Sequence, residues 1–336
     1  MSTRGISLLL FSDTHIGFDH PLTNREVKHR KRGPDFFQNF KKIIDEAITR
    51  KVDYVVHCGD VFETKKVPAF LVDQTYAEFL RLANANISLI IVPGNHERSA
   101  LPTSLFLNHP NIYIFNSPTN FLFPDLSFSG FPYYRGDIRS LFSEYRRKME
   151  SGLHDDHFNI LCVHHAIDGV KAGRQFFEFR NRKDTLAIDD LPGKYDLILS
   201  GHIHKYQVMY ASNAERKIPI IYSGSTERTM FDEIEETKGY HIFEIKGKKY
   251  SHQFHPIYTR PMYQIDLKSE QVEVEQLKDY LSIEMMNMDK DAIVQIAADN
   301  EQLLYKLSKL KTEGFFLPTM NITLSGFSSL HRTRAD

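Results

Sequence analysis

Five segments of this sequence share one design, an apolar run of strand length ending in a short loop that carries Asp, Asn or His. They are Leu8 to Gly17 (LLLFSDTHIG), Asp53 to Glu63 (DYVVHCGDVFE), Leu89 to Glu97 (LIIVPGNHE), Ile160 to His165 (ILCVHH) and Leu197 to His204 (LILSGHIH). A lone Asp-x-His or Gly-Asp is ordinary turn chemistry. Five such loops in one chain, all rich in metal-ligand types, predict one metal site with Asp60 at its centre. Seven groups converge on it: Asp13, His15, Asp60, Asn95, His164, His202 and His204.

Imidazole mixed with carboxylate, without thiolate, suits Mn, Fe or Zn better than Mg or Ca. One carboxylate shared by two divalent ions would set them roughly 3.5 Å apart. Such a pair grips phosphoryl oxygens and lowers the pKa of a bridging water, so the chemistry indicated is phosphoester hydrolysis. In-line attack leaves an oxygen that needs a proton, and His96, beside a ligand but not needed as one, is the natural general acid or transition-state stabiliser. Because metal ligation needs neutral imidazoles, activity is expected to fall as pH drops through the histidine range.

The spacing carries its own expectations. Asp13 and His15, two apart, can point the same way if the backbone leaving the strand stays extended. The same i, i+2 argument applies to His202 and His204, with Gly201 clearing room. Gly94 lets the backbone approach the site closely. Which of His164 and His165 is the ligand stays open on spacing alone.

Around these loops, Phe36 to Arg50 and about Ala69 to Ala83 show helical periodicity, and strand-like segments lie at Ile6 to Phe11, Asp53 to Cys58 and Ile87 to Val92. That β-helix-β order implies a largely parallel sheet. Phe115 to Gly136 reads as hairpins at the edge of a second sheet, Arg139 to Glu150 as a helix, and Pro219 to His255 as further strands. Two β-rich halves flanked by helices make a four-layer α/β/β/α sandwich the expected architecture. After Arg260-Pro261, a βαβαβ series with helical stretches near Val272 to Met285 and Glu301 to Thr312 suggests a small α/β domain of its own. The boundaries expected are 1–257 and 258–336.

The 336 residues carry 42 Lys and Arg against 43 Asp and Glu, so attraction to phosphate must come from a local patch or from bound cations. One such patch is Arg25 to Arg32 (REVKHRKR), where Lys28, Arg30, Lys31 and Arg32 follow directly on the first loop. Its bland alternative is a solvated basic turn. Tyr134 and Arg135, in GFPYYRG, are further candidates to stack on a base or touch a phosphate. The only two cysteines, Cys58 and Cys162, fit buried core residues of a reducing compartment. With strand-sized apolar runs and no signal peptide, an intracellular, cytoplasmic location is expected.

The pattern Asp13-x-His15, Gly59-Asp60, Gly94-Asn95-His96-Glu97, His164 and Gly201-His202-x-His204 resembles the calcineurin-like metallophosphoesterase superfamily over about the first 250 residues. Ser12 to Gly17, the Arg-rich segment before Asp35-Phe-Phe, Val61-Phe-Glu63 and Tyr222 to Arg228 (YSGSTER) resemble the SbcD-type DNA double-strand-break repair nucleases, which adds Arg228 to the candidate DNA contacts. The resemblance implies a manganese-dependent nuclease, exonucleolytic on duplex ends and endonucleolytic on single strands or hairpins, with a C-terminal capping domain. One ion would take Asp13, His15, Asp60 and His204. The other would take Asp60, Asn95, His164 and His202. It also implies a homodimer and an SbcC-type coiled-coil ABC ATPase partner, although the helical segment that docks on such an ATPase is not seen between the cap and Asp336. Glu63 and Glu97 stand where Asp is common in these nucleases. The competing readings are a phosphatase or cyclic-nucleotide phosphodiesterase with the same metals, and a binding scaffold of this fold that has lost catalysis.

Overall fold

In the computed structural model, the residues described are 5–18, 32–102, 107–173, 177–191, 193–212 and 216–326. The chain opens as an alternation of strand and helix: β1 (Ile6–Phe11), α1 (Gly33–Arg50), β2 (Tyr54–His57), α2 (Ala69–Asn84), β3 (Ser88–Ile91) and β4 (Ile112–Ile114). A hairpin of β5 (Thr119–Phe123) and β6 (Leu126–Gly130) leads to α3 (Ile138–Glu150) and β7 (Phe158–Val163). Four two-residue strands follow: β8 (Ala166–Ile167), β9 (Lys171–Ala172), β10 (Phe177–Glu178) and β11 (Thr185–Leu186). The larger unit then closes with β12 (Leu197–Ser200), β13 (Gln207–Ser212), β14 (Lys217–Tyr222), β15 (Gly239–Lys246) and β16 (Lys249–Pro256).

These strands build two six-stranded sheets, ordered β16-β15-β1-β2-β3-β4 and β13-β14-β12-β7-β6-β5. Each has four parallel strands, β1 to β4 in the first and β14, β12, β7 and β6 in the second. Alternation along the strands sorts the core into layers. Leu8, Leu10, Val56 and Ile90 meet Phe128, Ile160, Leu197 and Leu199 between the sheets. Leu9, Phe11, Val55, Leu89 and Ile91 pack outward on Phe40, Ile43 and Ile44 of α1 and Phe79 and Leu82 of α2. On the far side, Leu161, Val163, Ile198 and Ile220 pack on Phe142 and Met149 of α3. The result is the α/β/β/α sandwich that the periodicities imply. Cys58 and Cys162 are both free thiols, buried between the two sheets.

The larger unit ends at Tyr258, and the second compact unit takes the chain from Thr259 together with Arg32. In it, β17 (Met262–Leu267), α4 (Leu277–Glu284), β18 (Ile293–Ala298), α5 (Glu301–Thr312) and β19 (Asn321–Gly326) form a parallel sheet ordered β17-β18-β19. Its own core holds Ile265, Leu267, Val294, Ile296, Leu303 and Leu307. Asn300 caps α5 by accepting from Leu303 N at 2.8 Å, as an N-cap Asn should. The first helix is shorter than periodicity suggests. Residues 268–276 form successive turns, closed by Val272 N to Lys268 O and Gln276 N to Glu273 O, and Gln276 enters α4 without a side-chain cap. Among the described residues no helix is long and apolar enough to cross a membrane.

Candidate metal centre

The five ligand loops leave the C-terminal ends of β1, β2, β3, β7 and β12, so the two sheets face their polar residues into one cluster. The first two loops prolong the parallel ladder past the strands: Asp13 N donates to Gly59 O at 2.9 Å, His15 N to Asp60 O at 3.0 Å and Ile16 N to Val61 O at 2.8 Å. The backbone there is not extended, contrary to the simple i, i+2 expectation. Asp13, His15, Asp60 and His202 have φ of 52°, 45°, 53° and 77°, a left-handed conformation costing about 1–2 kcal/mol per residue. The turn, rather than pleat alternation, aims Asp13 and His15 together.

Three glycines make room. A Cβ on Gly59 would lie 2.1 Å from His164 Nδ1, one on Gly94 2.1 Å from Asp60 Oδ1, and one on Gly201 2.0 Å from Cys58 O.

Two groupings result. In one, His15 Nε2 lies 3.0 Å from His204 Nε2, and Asp13 Oδ1 is 3.9 Å from His204 Nε2. In the other, Asn95 Oδ1 is 3.0 Å from His164 Nε2 and 2.9 Å from His202 Nδ1. Asp60 Oδ2 sits 3.2 Å from His164 Nε2. Within each of three sets, Asp13, His15 and His204, then His15, Asp60 and His96, then Asp13, Asp60 and His164, the ligand atoms lie within 4.8 Å of one another. Behind the rings, His164 Nδ1 donates to Cys58 O at 2.6 Å, His204 Nδ1 lies 2.8 Å from Glu233 Oε1 and His15 Nδ1 2.8 Å from Glu63 Oε2. His164 and His204, crowded on their inner Nε2 side while hydrogen-bonded through Nδ1 on the outer side, fit divalent ions well.

Of the adjacent histidines, His164 faces Asp60 and Asn95. His165 instead stacks on Tyr133 at 4.6 Å and accepts from Tyr134 N at 3.2 Å. His96 N donates to Asp60 Oδ1 at 3.0 Å. The His96 ring donates from Nδ1 to Glu63 O at 2.6 Å and leaves Nε2, 3.8 Å from Asp60 Oδ2, facing the cluster.

The electrostatics divide the histidines. Burial opposes charge on His164, but Asp60 outweighs it and holds the ring up at about 9. Glu233 does the same for His204, also to about 9. Burial, then the charge on His164, pushes His202 down to about 3, and burial also takes His57 and His165 to about 3. Although burial opposes ionisation, His164 and then His15 and His96 hold Asp60 well below the usual carboxylate range. Glu97 is raised to about 8 by burial and then by the Asp60 charge. Its carboxyl group ties two ligand loops together, accepting from Phe62 N at 2.8 Å and Gly94 N at 3.0 Å.

The candidate DNA contacts fare unevenly. Lys28, Arg30 and Lys31 lie outside the described residues. Arg32, the one residue of that patch among those described, is buried. Tyr134 and Arg135 are exposed. Arg228 donates from Nε and Nη2 to Glu236 O at 3.2 and 3.1 Å, so its guanidinium braces the loop after β14. Sequence reading missed Glu233 and Lys238, which lie in a stretch, FDEIEETK, that looks like a solvated acidic run.

Against known proteins, the calcineurin-like phosphoesterase family profile matches residues 6–206. The chain belongs to that family. Relatives of this calcineurin-like phosphoesterase include the DNA double-strand break repair protein Mre11 of Thermoplasma acidophilum, 29% identical over 256 residues, covering 70% of this chain and 61% of that protein. Mre11 of Methanosarcina acetivorans is 26% identical over 262 residues, covering 73% of this chain and 38% of its own. The uncharacterized metallophosphoesterase YhaO of Bacillus subtilis is 26% identical over 231 residues, covering 65% and 52%. The chain thus spans less than two thirds of the length of each. Metal-dependent phosphoester hydrolysis is the chemistry of the calcineurin-like phosphoesterases, and the cluster around Asp60 supplies candidate ligands for its divalent ions.

Proposed function

We propose that this protein is a DNA-repair nuclease that hydrolyses phosphodiester bonds with two manganese ions. One ion is assigned to Asp13, His15, Asp60 and His204, the other to Asp60, Asn95, His164 and His202. The observation that carries the reading is the placement of Asp60 between the two groupings, with the free Nε2 of His96 beside it. Similarity to DNA double-strand break repair proteins supports DNA as the polymer cut, and the motif resemblance to SbcD-type nucleases suggests exonucleolytic cutting at duplex ends and endonucleolytic cutting in single strands or hairpins. By that resemblance, the unit from Thr259 is assigned as the capping domain, and a coiled-coil ABC ATPase and a second copy of the chain as partners.

When bound, two such ions supply hydroxide at neutral pH and neutralise phosphoryl charge. The protein's own groups do the rest. Asp60 is held in place by His96 N, and Cys58 O fixes the His164 tautomer with its Nε2 lone pair inward. His96, anchored through Nδ1 on Glu63 O, can carry a proton on Nε2 and release it to the leaving oxygen.

The test is cleavage with Mn²⁺ of end-labelled duplex and single-stranded DNA beside a chromogenic small phosphodiester, for wild type and Asp60→Asn. DNA cut by wild type alone is the expected result. Turnover of the small ester without DNA cleavage would move the protein to the phosphodiesterase reading.

A further inference from the structure

Glu233, at the end of a single 3-10 turn (Phe231–Glu233), is buried along with Lys238. Both of its carboxylate oxygens are saturated. Oε1 accepts from His204 Nδ1 at 2.8 Å and Thr229 Oγ1 at 2.6 Å. Oε2 meets Lys238 Nζ at 2.8 Å and Thr229 N at 3.1 Å. Lys238 Nζ also donates to His204 O at 3.0 Å and pairs with Glu236 at 2.7 Å. One ammonium therefore grips both the backbone of His204 and the carboxylate that holds its ring.

A buried ion pair is by itself weak evidence of a stabilising role. This one has a specific geometric consequence. With Nδ1 committed as donor to Glu233, the neutral His204 ring carries its lone pair on Nε2, the atom 3.0 Å from His15 Nε2. A ring flip would leave Glu233 without its imidazole donor in a buried site, where an unmet hydrogen bond to a charge is expensive. Two carboxylates against one ammonium leave the network net negative, which raises the basicity of the imidazole it contacts. In the opposite grouping His164 is backed by the neutral Cys58 carbonyl. The carboxylate beside His15, on Glu63, is part-exposed and is shared with His96, whose Nδ1 lies 3.7 Å from it.

We propose that Glu233, clamped by Lys238 and Thr229, is a positioning residue that holds His204 in the tautomer and orientation needed to bind the ion assigned to Asp13, His15, Asp60 and His204. It rests on the reading that these four residues ligate an ion. It adds a requirement that metal ligands alone do not impose: one of the two binding steps depends on a residue that touches no metal.

The experiment is a Mn²⁺ titration of the full chain, followed by calorimetry and by the electron paramagnetic resonance of free and bound Mn²⁺, on wild type and Glu233→Gln. Glutamine keeps the shape but has one oxygen where Glu233 offers two, so with that oxygen on Lys238 Nζ its NH2 group faces His204 Nδ1 and no longer favours a proton there. The expected result is a fall of about 10–100-fold in affinity at one of two sites, as for other residues backing ligands, with the second site unchanged and DNA cleavage restored by excess Mn²⁺. A folded Glu233→Gln that binds both ions with wild-type affinity overturns the proposal, even if its metal-free melting temperature is lowered, because that is the signature of a purely structural role. Should Glu233→Gln not fold, pairing it with Lys238→Met removes both buried charges together and is read the same way. Wild type that takes up no Mn²⁺ would instead sink the metal assignment itself.

Discussion

The Nε2 atoms of His15 and His204 lie 3.0 Å apart, although each ring has its Nδ1 beside a carboxylate, Glu63 for one and Glu233 for the other. The two imidazoles therefore turn their Nε2 atoms toward one another. In the metal-free protein, protons offset the negative charge of the centre: His164 and His204 are both held up at about 9. Ligation needs those nitrogens bare, so ion uptake at pH 7 must expel protons. Mn²⁺ affinity should therefore rise from pH 6 towards 9, by up to about tenfold per pH unit for each proton released, and flatten above. Calorimetry in buffers of different ionisation enthalpy counts the protons, and an affinity independent of pH would refute the assignment.

The same shifts give stability the opposite trend once metal is removed. A histidine raised from 6.5 to about 9 contributes stability that is fully present below pH 6.5 and lost as pH rises through 9. Glu97, raised from 4.5 to about 8, binds its proton more tightly folded than unfolded, so its contribution also fades as pH climbs through 8. Chelator-treated protein should melt at progressively lower temperature between pH 6.5 and 9, while the Mn²⁺-loaded protein should not. Parallel melting curves for the two forms across that window would contradict the prediction.

His96 separates chemistry from binding. Its backbone N–H orients Asp60, a task that survives loss of the side chain, whereas the Nε2 proton does not. His96→Ala is expected to keep Mn²⁺ affinity near that of wild type and to lower kcat by about 10²–10⁴-fold, the usual range for a general acid. The loss should be smaller for substrates whose leaving group is already a weak base, such as a nitrophenyl ester. An equal loss on both kinds of substrate would show that His96 acts by positioning rather than by proton transfer.

Much of this centre is legible in the residues alone, and the reason is local. A buried parallel strand such as Tyr54–His57 leaves a near-continuous apolar run, and the loop after it can be read for its donors. What stays hidden depends on contacts far apart in sequence. The left-handed backbone at Asp13 and His15 is imposed by pairing with Gly59 and Asp60, some 45 residues on, and no periodicity announces it. Glu233 and Lys238 belong to a charged run that reads as a solvated face, and only the fold around His204 buries them. Strand β4 is three residues long, too short for alternation to register. Arg32 and Arg228 look alike as basic residues near site loops, yet one is buried and the other binds the Glu236 carbonyl.

Gly94 tests whether close approach, rather than loop flexibility, is what the site needs. A Cβ there would stand 2.1 Å from Asp60 Oδ1 and 2.4 Å from Asp60 N, inside any tolerated contact, and Pro93 before it leaves the backbone little freedom to retreat. Gly94→Ala must therefore displace Asp60, the residue shared by both assigned ions. A shift near 1 Å at such a centre costs on the order of 100-fold in rate, and Mn²⁺ binding should weaken with it. Gly247, in the turn between β15 and β16, provides the contrast. Its φ is +56°, and a Cβ there would meet nothing within 4 Å, so Gly247→Ala carries only conformational strain of about 1–2 kcal/mol. It should lower the melting temperature by a few degrees and leave kcat and Mn²⁺ affinity alone. If Gly94→Ala behaved like Gly247→Ala, stable binding and full turnover included, the tight packing of the third loop on Asp60 would have no part in holding the centre together.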